Sequence, residues 1–327
     1  MNLNKLPKNL LRGYTFLLIA TILWAAAGPV IKYTLRYIPP LTFLFLRFLI
    51  ASVVMLPYAI YEIQKIGVNK KDFLGIFLFG VLNQTSISLI FLGLERTTAI
   101  DNAIIGILGS ILAVTAGAYF YSEKPHKNIK IGLIIASLGT LVVMLEPILL
   151  EGVGAGTKNR LIGNLILFAY NVVWIFAIVW SKSCAGIKSK AIDKYMELIR
   201  VRPLTKKYPP ALMTALSFFV GVATLAPLAF LEMMKKPDYN FDLTSMNVNS
   251  VLGLMYLALL SSIVAYVVYQ KSLEDVRVTD TAFFHYLSPI FSIPVAYILL
   301  GETINIYTLV GVVLIFIGVY IAEVKKP

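Results

Sequence analysis

Long apolar segments alternate with short polar ones along the whole chain. Each apolar segment holds about 20 residues, the length that an α-helix needs to cross the hydrocarbon core of a bilayer. The alternating pattern of transmembrane β-strands, with about ten residues per segment, is a poor fit. The pattern therefore predicts ten membrane-spanning α-helices. Their expected bounds are 13–31, 40–61, 73–93, 99–121, 129–150, 161–181, 210–231, 251–270, 282–300 and 306–321.

The first apolar segment has features of both a signal peptide and a membrane span. It follows Lys5, Lys8 and Arg12 and contains small residues after Trp24, as a cleavable signal peptide would. It is long, however, and it matches a later segment of the chain. We therefore expect an uncleaved first span.

Composition supports a membrane protein and removes other classes. Hydrophobic residues make up 58% of the chain, charged residues make up 14%, and the mean hydropathy is +0.81. An average soluble domain has roughly 25% charged residues, and its surface needs a polar coat that this chain cannot supply. The single cysteine, Cys184, rules out a disulfide framework. We expect an all-α integral membrane protein of the cell (plasma) membrane.

The basic residues predict an orientation. Of the 29 Lys and Arg residues, 21 fall at one predicted face and seven at the other, while Arg47 lies inside a span. Because basic residues accumulate in cytoplasmic loops, both termini are expected in the cytoplasm. The most basic loop, residues 182–209, is interpreted as a topology anchor near anionic lipid, with partner binding as the alternative. The net charge of +12 then marks the cytoplasmic face and no nucleic-acid partner is expected.

The two halves of the chain resemble each other when they are aligned with three offsets. An offset of 150 matches Trp24 and Lys32 with Trp174 and Lys182, and an offset of 170 matches the paired prolines at 39–40 with those at 209–210. An offset of 179 matches acidic residues and glycines: Glu95, Asp101, Glu123, Gly132 and Gly139 with Glu274, Asp280, Glu302, Gly311 and Gly318. Matching Trp, Lys, Asp and paired Pro in one order are not expected by chance.

Each half then holds five predicted spans, over residues 13–150 and 160–323. Because five is an odd number, the second half begins on the opposite side of the membrane, and the two repeats are inverted. Inverted repeats place a central site between two gates, which is typical of alternating-access transport. Small inverted-repeat channels are the structural alternative.

A run of residues in the first half has partial echoes in the second half. The run comprises Trp24, Lys32, the prolines at 39–40, Arg47 and the Glu-Lys-Pro turn at 123–125, then Gly132 and Gly139, with echoes at Trp174, Lys182, Glu302 and Gly311. This order resembles the EamA family of the drug/metabolite transporter superfamily, as two repeats over nearly the whole chain. The resemblance implies a ten-helix secondary transporter, often an exporter of amino acids or other metabolites, with a cavity lined by both halves. The chain departs from the family pattern at Ala25, where Gly commonly follows the Trp.

Arg47 is the sharpest candidate for a functional side chain. It lies about seven residues, or roughly 10 Å, inside the second predicted span. A charge at this depth is costly and usually faces protein or a water-filled cavity. We expect Arg47 to bind an anionic group or to contact a gate, with snorkelling or a structural bond to a carbonyl as the alternative. The second half has Ser217 at the matching position.

Further candidates for the substrate pathway each have a structural alternative. They are Trp24 and Trp174 (helix packing or cavity wall), Lys32 and Lys182 (interfacial anchors or gate charges), Asn83 and Gln84 (helix contact or cavity lining), and His285, Pro289 and Ser292 (one face of the ninth span). His285 is either a hydrogen-bonded structural residue or a proton relay, and Pro289 is able to expose a backbone carbonyl. Asp101 is expected to stabilise the start of the fourth helix, with ion coupling as the alternative, and Glu302 is expected to cap a helix or tie a loop.

The motifs of common enzymes do not occur in the sequence. The glycine-rich residues 152–158 lack the Gly-Lys-Ser/Thr order of a phosphate-binding loop. No paired His or Cys cluster has the spacing of a metal site, and no nucleophile elbow is found. We therefore expect no cofactor, no metal and no catalytic residue.

The sequence predicts a secondary transporter, with export the favoured direction, of small polar metabolites such as amino acids. A nucleotide-sugar or sugar-phosphate antiporter is the alternative within transporters, although phosphates would need more cationic side chains in the cavity than Arg47. A membrane-embedded enzyme that acts on lipid is the alternative of another class. The expected partners are a small solute and membrane lipid, and a homodimer is left open.

Overall fold

The computed structural model describes residues 8–122, 127–152, 154–184, 189, 191–192, 194, 204–235, 247–276 and 278–323. These residues form α-helices joined by short loops, with a 3-10 turn at Lys70–Asp72 and a π-helical segment at Tyr256–Val264, and no strand occurs among them. The α-helices are α1 (Lys8–Thr34), α2 (Pro40–Ile66), α3 (Phe73–Arg96), α4 (Ala99–Ile105), α5 (Leu108–Tyr121), α6 (Lys127–Glu151), α7 (Ala155–Cys184), α8 (Pro210–Lys235), α9 (Val248–Met255), α10 (Ala265–Asp275), α11 (Val278–Leu300) and α12 (Ile306–Glu323).

Seven helical stretches of the described chain are long and apolar enough to cross a membrane. They are Asn9–Thr34, Pro40–Ile66, Lys70–Arg96, Lys127–Leu150, Gly156–Ser183, Pro210–Met234 and Val248–Asp275. Shorter apolar helices cover Leu112–Tyr121, Leu287–Leu300 and Ile306–Gly318, within the fourth, ninth and tenth predicted spans. The chain is an all-helical, multi-pass membrane protein, and the prediction of ten crossings depends on these three shorter helices.

The fourth predicted span is interrupted. Between α4 and α5 the chain tightens, since the N–H of Ile107 donates to the Ile104 carbonyl and the N–H of Gly109 donates to the Gly106 carbonyl, each at 3.0 Å. Glycine lowers helix stability by about 1 kcal/mol relative to alanine, so Gly106 favours a break here. The apolar pattern over 99–121 did not reveal it, because a short 3-10 turn leaves hydrophobicity unchanged.

The eighth predicted span changes its helical geometry midway. α9 passes into the π-helical segment and then into α10 without a loop. Within the segment, the Ser262 hydroxyl donates to the Leu257 carbonyl, five residues earlier, at 2.8 Å. Such wide turns are rare and often occur at functional sites. Here the turn brings Ser261 and Ser262 against α1 and α2.

Glycines bring α6 and α12 into close contact. A methyl group added to Gly139 would lie 2.6 Å from the Gly311 carbonyl oxygen, and one added to Gly318 would lie 2.5 Å from the Gly132 carbonyl oxygen. Small residues at such crossings let helix backbones approach each other in membranes. The earlier glycine of α6 faces the later glycine of α12, so these matched helices run antiparallel.

The first helices of the two halves make equivalent contacts. A methyl group on Gly13 of α1 would lie 2.7 Å from Val276 Cγ1, just after α10. A methyl group on Gly163 of α7 would lie 2.9 Å from Thr97 Cβ, just after α3. Offsets of 150 and 179 match Gly13 with Gly163 and Thr97 with Val276. Each first helix therefore approaches the end of the third span of the other half.

Two glutamates of the second half cap helices of the first half. Glu302, in the turn before α12, accepts hydrogen bonds from the N–H groups of Ala99 and Ile100 at 3.0 Å each. Glu232 of α8 accepts bonds from the N–H and the hydroxyl of Thr42, at 2.8 and 3.0 Å. A carboxylate is stabilised at a helix N-terminus by the exposed N–H groups and the helix dipole. Glu302 thus makes the capping contact expected of it.

The described end of the basic loop, residues 204–209, is bound to the start of the third span. Asp72 accepts hydrogen bonds from the N–H of Thr205 at 2.8 Å and from the Tyr208 hydroxyl at 2.6 Å. Burial and this bond to Asp72 raise the pKa of Tyr208 to about 12, so the hydroxyl remains protonated at neutral pH. Lys206 lies 5.5 Å from the centre of the Tyr208 ring. This end of the loop is therefore anchored on protein.

Candidate functional site

A cavity of about 130 Å³ is lined by helices of both halves. Apolar side chains of α1 and α3, small residues near the α4 break and the polar Ser261 form part of its wall. Five aromatic side chains form another part: Trp24, Tyr170, Trp174, Tyr266 and Tyr269. Among the described residues that line the cavity, Arg47 is the charged one.

Arg47 of α2 is only 3% exposed. Its Nε donates a hydrogen bond to Ser262 Oγ at 2.6 Å, and its Nη2 donates to Ser261 Oγ at 3.3 Å. Its guanidinium carbon lies 5.8 Å from the centre of the Phe48 ring and 5.9 Å from that of Phe91. In the described part of the chain no carboxylate forms an ion pair with Arg47, so neutral hydroxyls and ring faces are what balance its charge.

The matched positions of the two halves make a corresponding contact without a charge. Ser217 matches Arg47 with an offset of 170, and Asn83 matches Ser262 when the offset of 179 is extended along α3. Asn83 Nδ2 donates to Ser217 Oγ at 3.3 Å, so the matched pair is bonded as well, with the donor on the other side of the contact. The two repeats thus share the contact, and only the first repeat gives it a cation.

Trp24 and Trp174 belong to an aromatic cluster beside the cavity. The Trp24 ring centre lies 5.7 Å from that of Trp174, 5.0 Å from that of Tyr266 and 4.9 Å from that of Tyr269. Aromatic pairs in edge-on or tilted geometry stabilise each other by about 0.5–1.5 kcal/mol. Trp24 Nε1 also donates to the Ser261 carbonyl at 2.9 Å, which fixes the indole ring. The cluster joins α1, α7 and α10 and gives the cavity a rigid wall.

Asn83 and Gln84 lie away from the cavity, where α3 meets α8. Asn83 bonds Ser217 as described above, and a methyl group added to Gly221 of α8 would lie 2.5 Å from Gln84 Oε1. Gln84 Oε1 is buried and has no hydrogen-bond partner among the described residues. These two side chains connect helices and do not line the cavity.

Lys32 and Lys182 each bind the end of a helix. Lys32 Nζ donates to the Leu94 carbonyl at 2.8 Å near the end of α3, and Lys182 Nζ donates to the Val276 carbonyl at 2.7 Å after α10. Cations are stabilised at helix C-termini, where carbonyl groups lack partners. These matched lysines therefore fasten the first span of each half to the third, and neither lines the cavity.

The candidates of the ninth predicted span lie in α11. Pro289 and Ser292 are buried and do not line the cavity, whereas Ser288 does. The backbone of His285 is helical, but its side chain lies outside the described part of the structure. Its role as a proton relay therefore stays a prediction.

Several cavity residues were missed by the sequence analysis. Tyr170, Tyr266 and Tyr269 line the cavity, as do Ser261 and Asn102. Tyrosine is common in membrane helices at the interfaces, so its presence alone does not mark a cavity. Tyr266 and Tyr269 follow the π-helical segment, which rotates the next helix face away from the position that a regular 3.6-residue period predicts.

A buried ion network joins the halves away from the cavity. Arg160 Nη2, near the start of α7, donates to Asp101 Oδ2 at 3.0 Å and to Glu146 Oε2 at 2.8 Å. Asn305 also donates to Glu146. Thr98 Oγ1 accepts the N–H of Asp101 and is the side-chain cap of α4. Asp101 thus lies in the first turn of α4, as expected, but Thr98 supplies the side-chain cap and the Asp101 carboxylate pairs with Arg160.

Comparisons with known proteins agree with this architecture. A protein of Archaeoglobus fulgidus called an uncharacterized transporter is 24% identical over 320 residues, which cover 96% of this chain and 98% of that protein. A probable amino-acid metabolite efflux pump of Salmonella typhimurium is 24% identical over 305 residues, which cover 93% of this chain and 92% of the pump. A chain of known crystal structure shares the fold, with a TM-score of 0.59 at 17% identity over 96% of this chain and 97% of that chain.

The model of the EamA-like transporter family matches residues 11–145 and again residues 198–323. Two matches to one family model reflect the same duplication that the offsets, the paired glycine contacts and the matched lysines show. The chain is thus a multi-pass membrane protein that belongs to the EamA-like transporter family.

Proposed function

We propose that this protein is a secondary transporter that carries small polar metabolites, such as amino acids and related small acids, across the cell membrane by alternating access. The proposal includes the arrangement of the spans. Ten spans form two inverted five-helix repeats over residues 13–150 and 160–323, and both termini lie in the cytoplasm. The Salmonella relative, a probable amino-acid metabolite efflux pump, supports export as the direction.

The observation that carries the proposal is the cavity with Arg47 on its wall. A buried guanidinium inside a membrane span is expensive, and its described contacts are to neutral hydroxyls and rings. Such a group is retained where it faces water or a polar solute. An anionic group of the solute, bound at Arg47, would supply the negative partner that the described residues do not provide.

Alternating access is supported by the way the halves meet. α6 and α12 run antiparallel through matched glycines, and α1 and α7 make equivalent contacts with α10 and α3. Because the cavity is lined by both halves, movement of one half against the other would expose it to each side in turn. The excess of basic residues at one predicted face supports cytoplasmic termini.

The cavity argues against large phosphorylated solutes. Its volume of about 130 Å³ is below the roughly 300–1,000 Å³ of pockets for drug-sized ligands. A nucleotide sugar would also need several cations for its phosphates, and Arg47 is the charged side chain among the described residues that line the wall. A solute the size of an amino acid suits both observations better.

The test is solute flux in liposomes that contain the purified full chain. We expect at least one amino acid or related small acid to move in a saturable way, and Arg47→Ala to lower that flux at least tenfold with unchanged membrane expression. Arg36→Ala removes an exposed arginine and is the matched control, expected to retain flux. Failure of all solutes, or normal flux in Arg47→Ala, would contradict the proposal.

A further inference from the structure

The charge balance of the cavity narrows the class of solute, on the condition that the proposed transport function is correct. Arg47 brings one positive charge to the wall, and no Asp, Glu or Lys occurs among the described lining residues. The buried carboxylates Asp101 and Glu146, which do not line the cavity, are both engaged by Arg160. The described wall therefore offers a partner for one anionic group and offers no carboxylate for an ammonium group.

The Arg47 guanidinium has N–H donors that the described residues do not use. Arginine carries five N–H donors in a planar fork. The described contacts use Nε, bound to Ser262 Oγ, and Nη2, bound to Ser261 Oγ at the long distance of 3.3 Å. Nη1 has no hydrogen-bond partner among the described residues. A planar carboxylate fits two adjacent N–H donors of such a fork.

Ser261 and Ser262 orient the Arg47 guanidinium but do not neutralise its charge. The Ser262 hydroxyl accepts from Arg47 and donates to the Leu257 carbonyl at 2.8 Å, so both its polar roles are fixed by protein. The Ser261 carbonyl is held by Trp24 Nε1 at 2.9 Å. This arrangement orients the positive group without supplying negative charge.

The rest of the wall suits an apolar or aromatic body. Leu17, Ile31, Ile87 and Ile90 contribute aliphatic surface, and Trp24 and Trp174 contribute rings. Burying apolar surface of a solute against such a wall gains about 25 cal/mol for each Å². An ammonium group placed there would lose its hydration and gain at most ring faces and hydroxyl groups.

We propose that the preferred solute is an organic monoanion: one carboxylate, bound at Arg47, attached to a compact apolar or aromatic body. Zwitterions are bound less well because their ammonium group lacks a carboxylate partner. Dianions such as phosphate monoesters are bound less well because their second charge lacks a cation. The neutral amide of the same acid lacks the charge that pairs with Arg47.

The test uses four probes with one ring and different charge: 3-phenylpropanoate, its neutral amide, phenylalanine and phenyl phosphate. Binding to the purified full chain is followed by tryptophan fluorescence, and flux is followed in liposomes. We expect 3-phenylpropanoate to bind at least about tenfold more tightly than each of the others, since a hydrogen bond to a charged group contributes about 1.5–3 kcal/mol.

Variants link the preference to Arg47. Arg47→Gln is expected to abolish the preference for the acid over its amide, and Arg47→Lys to retain part of it. Arg36→Gln, at an exposed arginine, is expected to leave it unchanged. Size-exclusion profiles show that each variant is folded before it is compared.

Three results would separate this inference from the transport proposal. Flux of phenylalanine at least as efficient as that of 3-phenylpropanoate would overturn the monoanion inference and leave the protein a transporter. An acid preference that survives in Arg47→Gln would overturn it as well. Absence of flux for every solute, while binding persists, would overturn the transport proposal.

Discussion

Arg47 keeps its charge inside a span through contacts that are weak for a guanidinium. Two serine hydroxyls and two phenyl rings surround it, and only one of the hydrogen bonds is short. The position of the charge therefore depends on Ser262, whose hydroxyl is itself held by the wide turn of the π-helical segment. At the scale of single residues, function should be sensitive to this serine even though it does not line the cavity.

Ser262→Ala is expected to raise the solute concentration for half-maximal flux by about tenfold, because a hydrogen bond to a charged group contributes about 1.5–3 kcal/mol. Flux kinetics in liposomes measure this change. Ser272→Ala is the matched control: this buried serine of α10 bonds the Tyr269 carbonyl of its own helix at 2.7 Å. Equal kinetics for Ser262→Ala and the wild type would show that the serine does not position Arg47.

Some of these residues were predictable from the sequence and others were not. Arg47 stood out because a charge within a span is rare, and Trp24 and Trp174 stood out because the repeat matches them. Tyr266 and Ser261 gave no such signal, since serine and tyrosine are ordinary in membrane helices. Their position at the cavity follows from the π-helical segment, which shifts the helix face and leaves no mark on hydrophobicity.

The duplication is seen more clearly in the contacts between pairs of helices than in single helices. α6 and α12 contact each other through glycines that match across the repeat. At this crossing, backbone carbonyl oxygens of one helix occupy the space that a side chain on the facing glycine would need. The bounds that the sequence predicted for the seven long apolar helices lie within a few residues of those in the structure, because the bilayer sets their length. The sequence did not predict the interruption at Gly106, which depends on a single residue of low helix propensity.

Gly311→Ala is expected to destabilise the protein by about 1–3 kcal/mol, in the range of overpacked cores. Its new methyl group would lie 2.4 Å from Val143 Cγ2 and 2.7 Å from the Gly139 carbonyl oxygen. Thermal unfolding in detergent should show a lower midpoint. Gly156→Ala, in the first turn of α7 with no atom within 4 Å of the added methyl, is the control and should not lower it. An unchanged midpoint for Gly311→Ala would contradict the close crossing.

The whole molecule combines a shared scaffold with an unequal distribution of charge. The halves match in their glycine contacts, their paired lysines and their serine contacts. They differ where charge is buried, because Arg47 belongs to the first half alone and Arg160 of the second half reaches Asp101 and Glu146 of the first. The repeat could be found in the sequence, but these cross-half contacts could not, since Arg160 has no basic counterpart at the matching position of the first half that would single out the contact.

Arg160→Leu is expected to lower stability by about 3–5 kcal/mol, because it leaves two buried carboxylates without their cation. Combining it with Glu146→Gln should recover part of the loss, since one of the stranded charges is then gone. Thermal unfolding of the three variants measures both effects. If the double variant is less stable than Arg160→Leu by the full cost of Glu146→Gln alone, the two residues are not coupled.

Solute counterflow in liposomes tests the central claim most directly. Liposomes with the purified chain are loaded with unlabelled solute and diluted into a trace of the labelled form. A carrier with one central site that alternates between the two sides concentrates the label transiently inside, and we predict this overshoot for the wild type and its loss in Arg47→Ala. Label that enters without an overshoot, as through a channel, or an overshoot that persists in Arg47→Ala, would contradict the account.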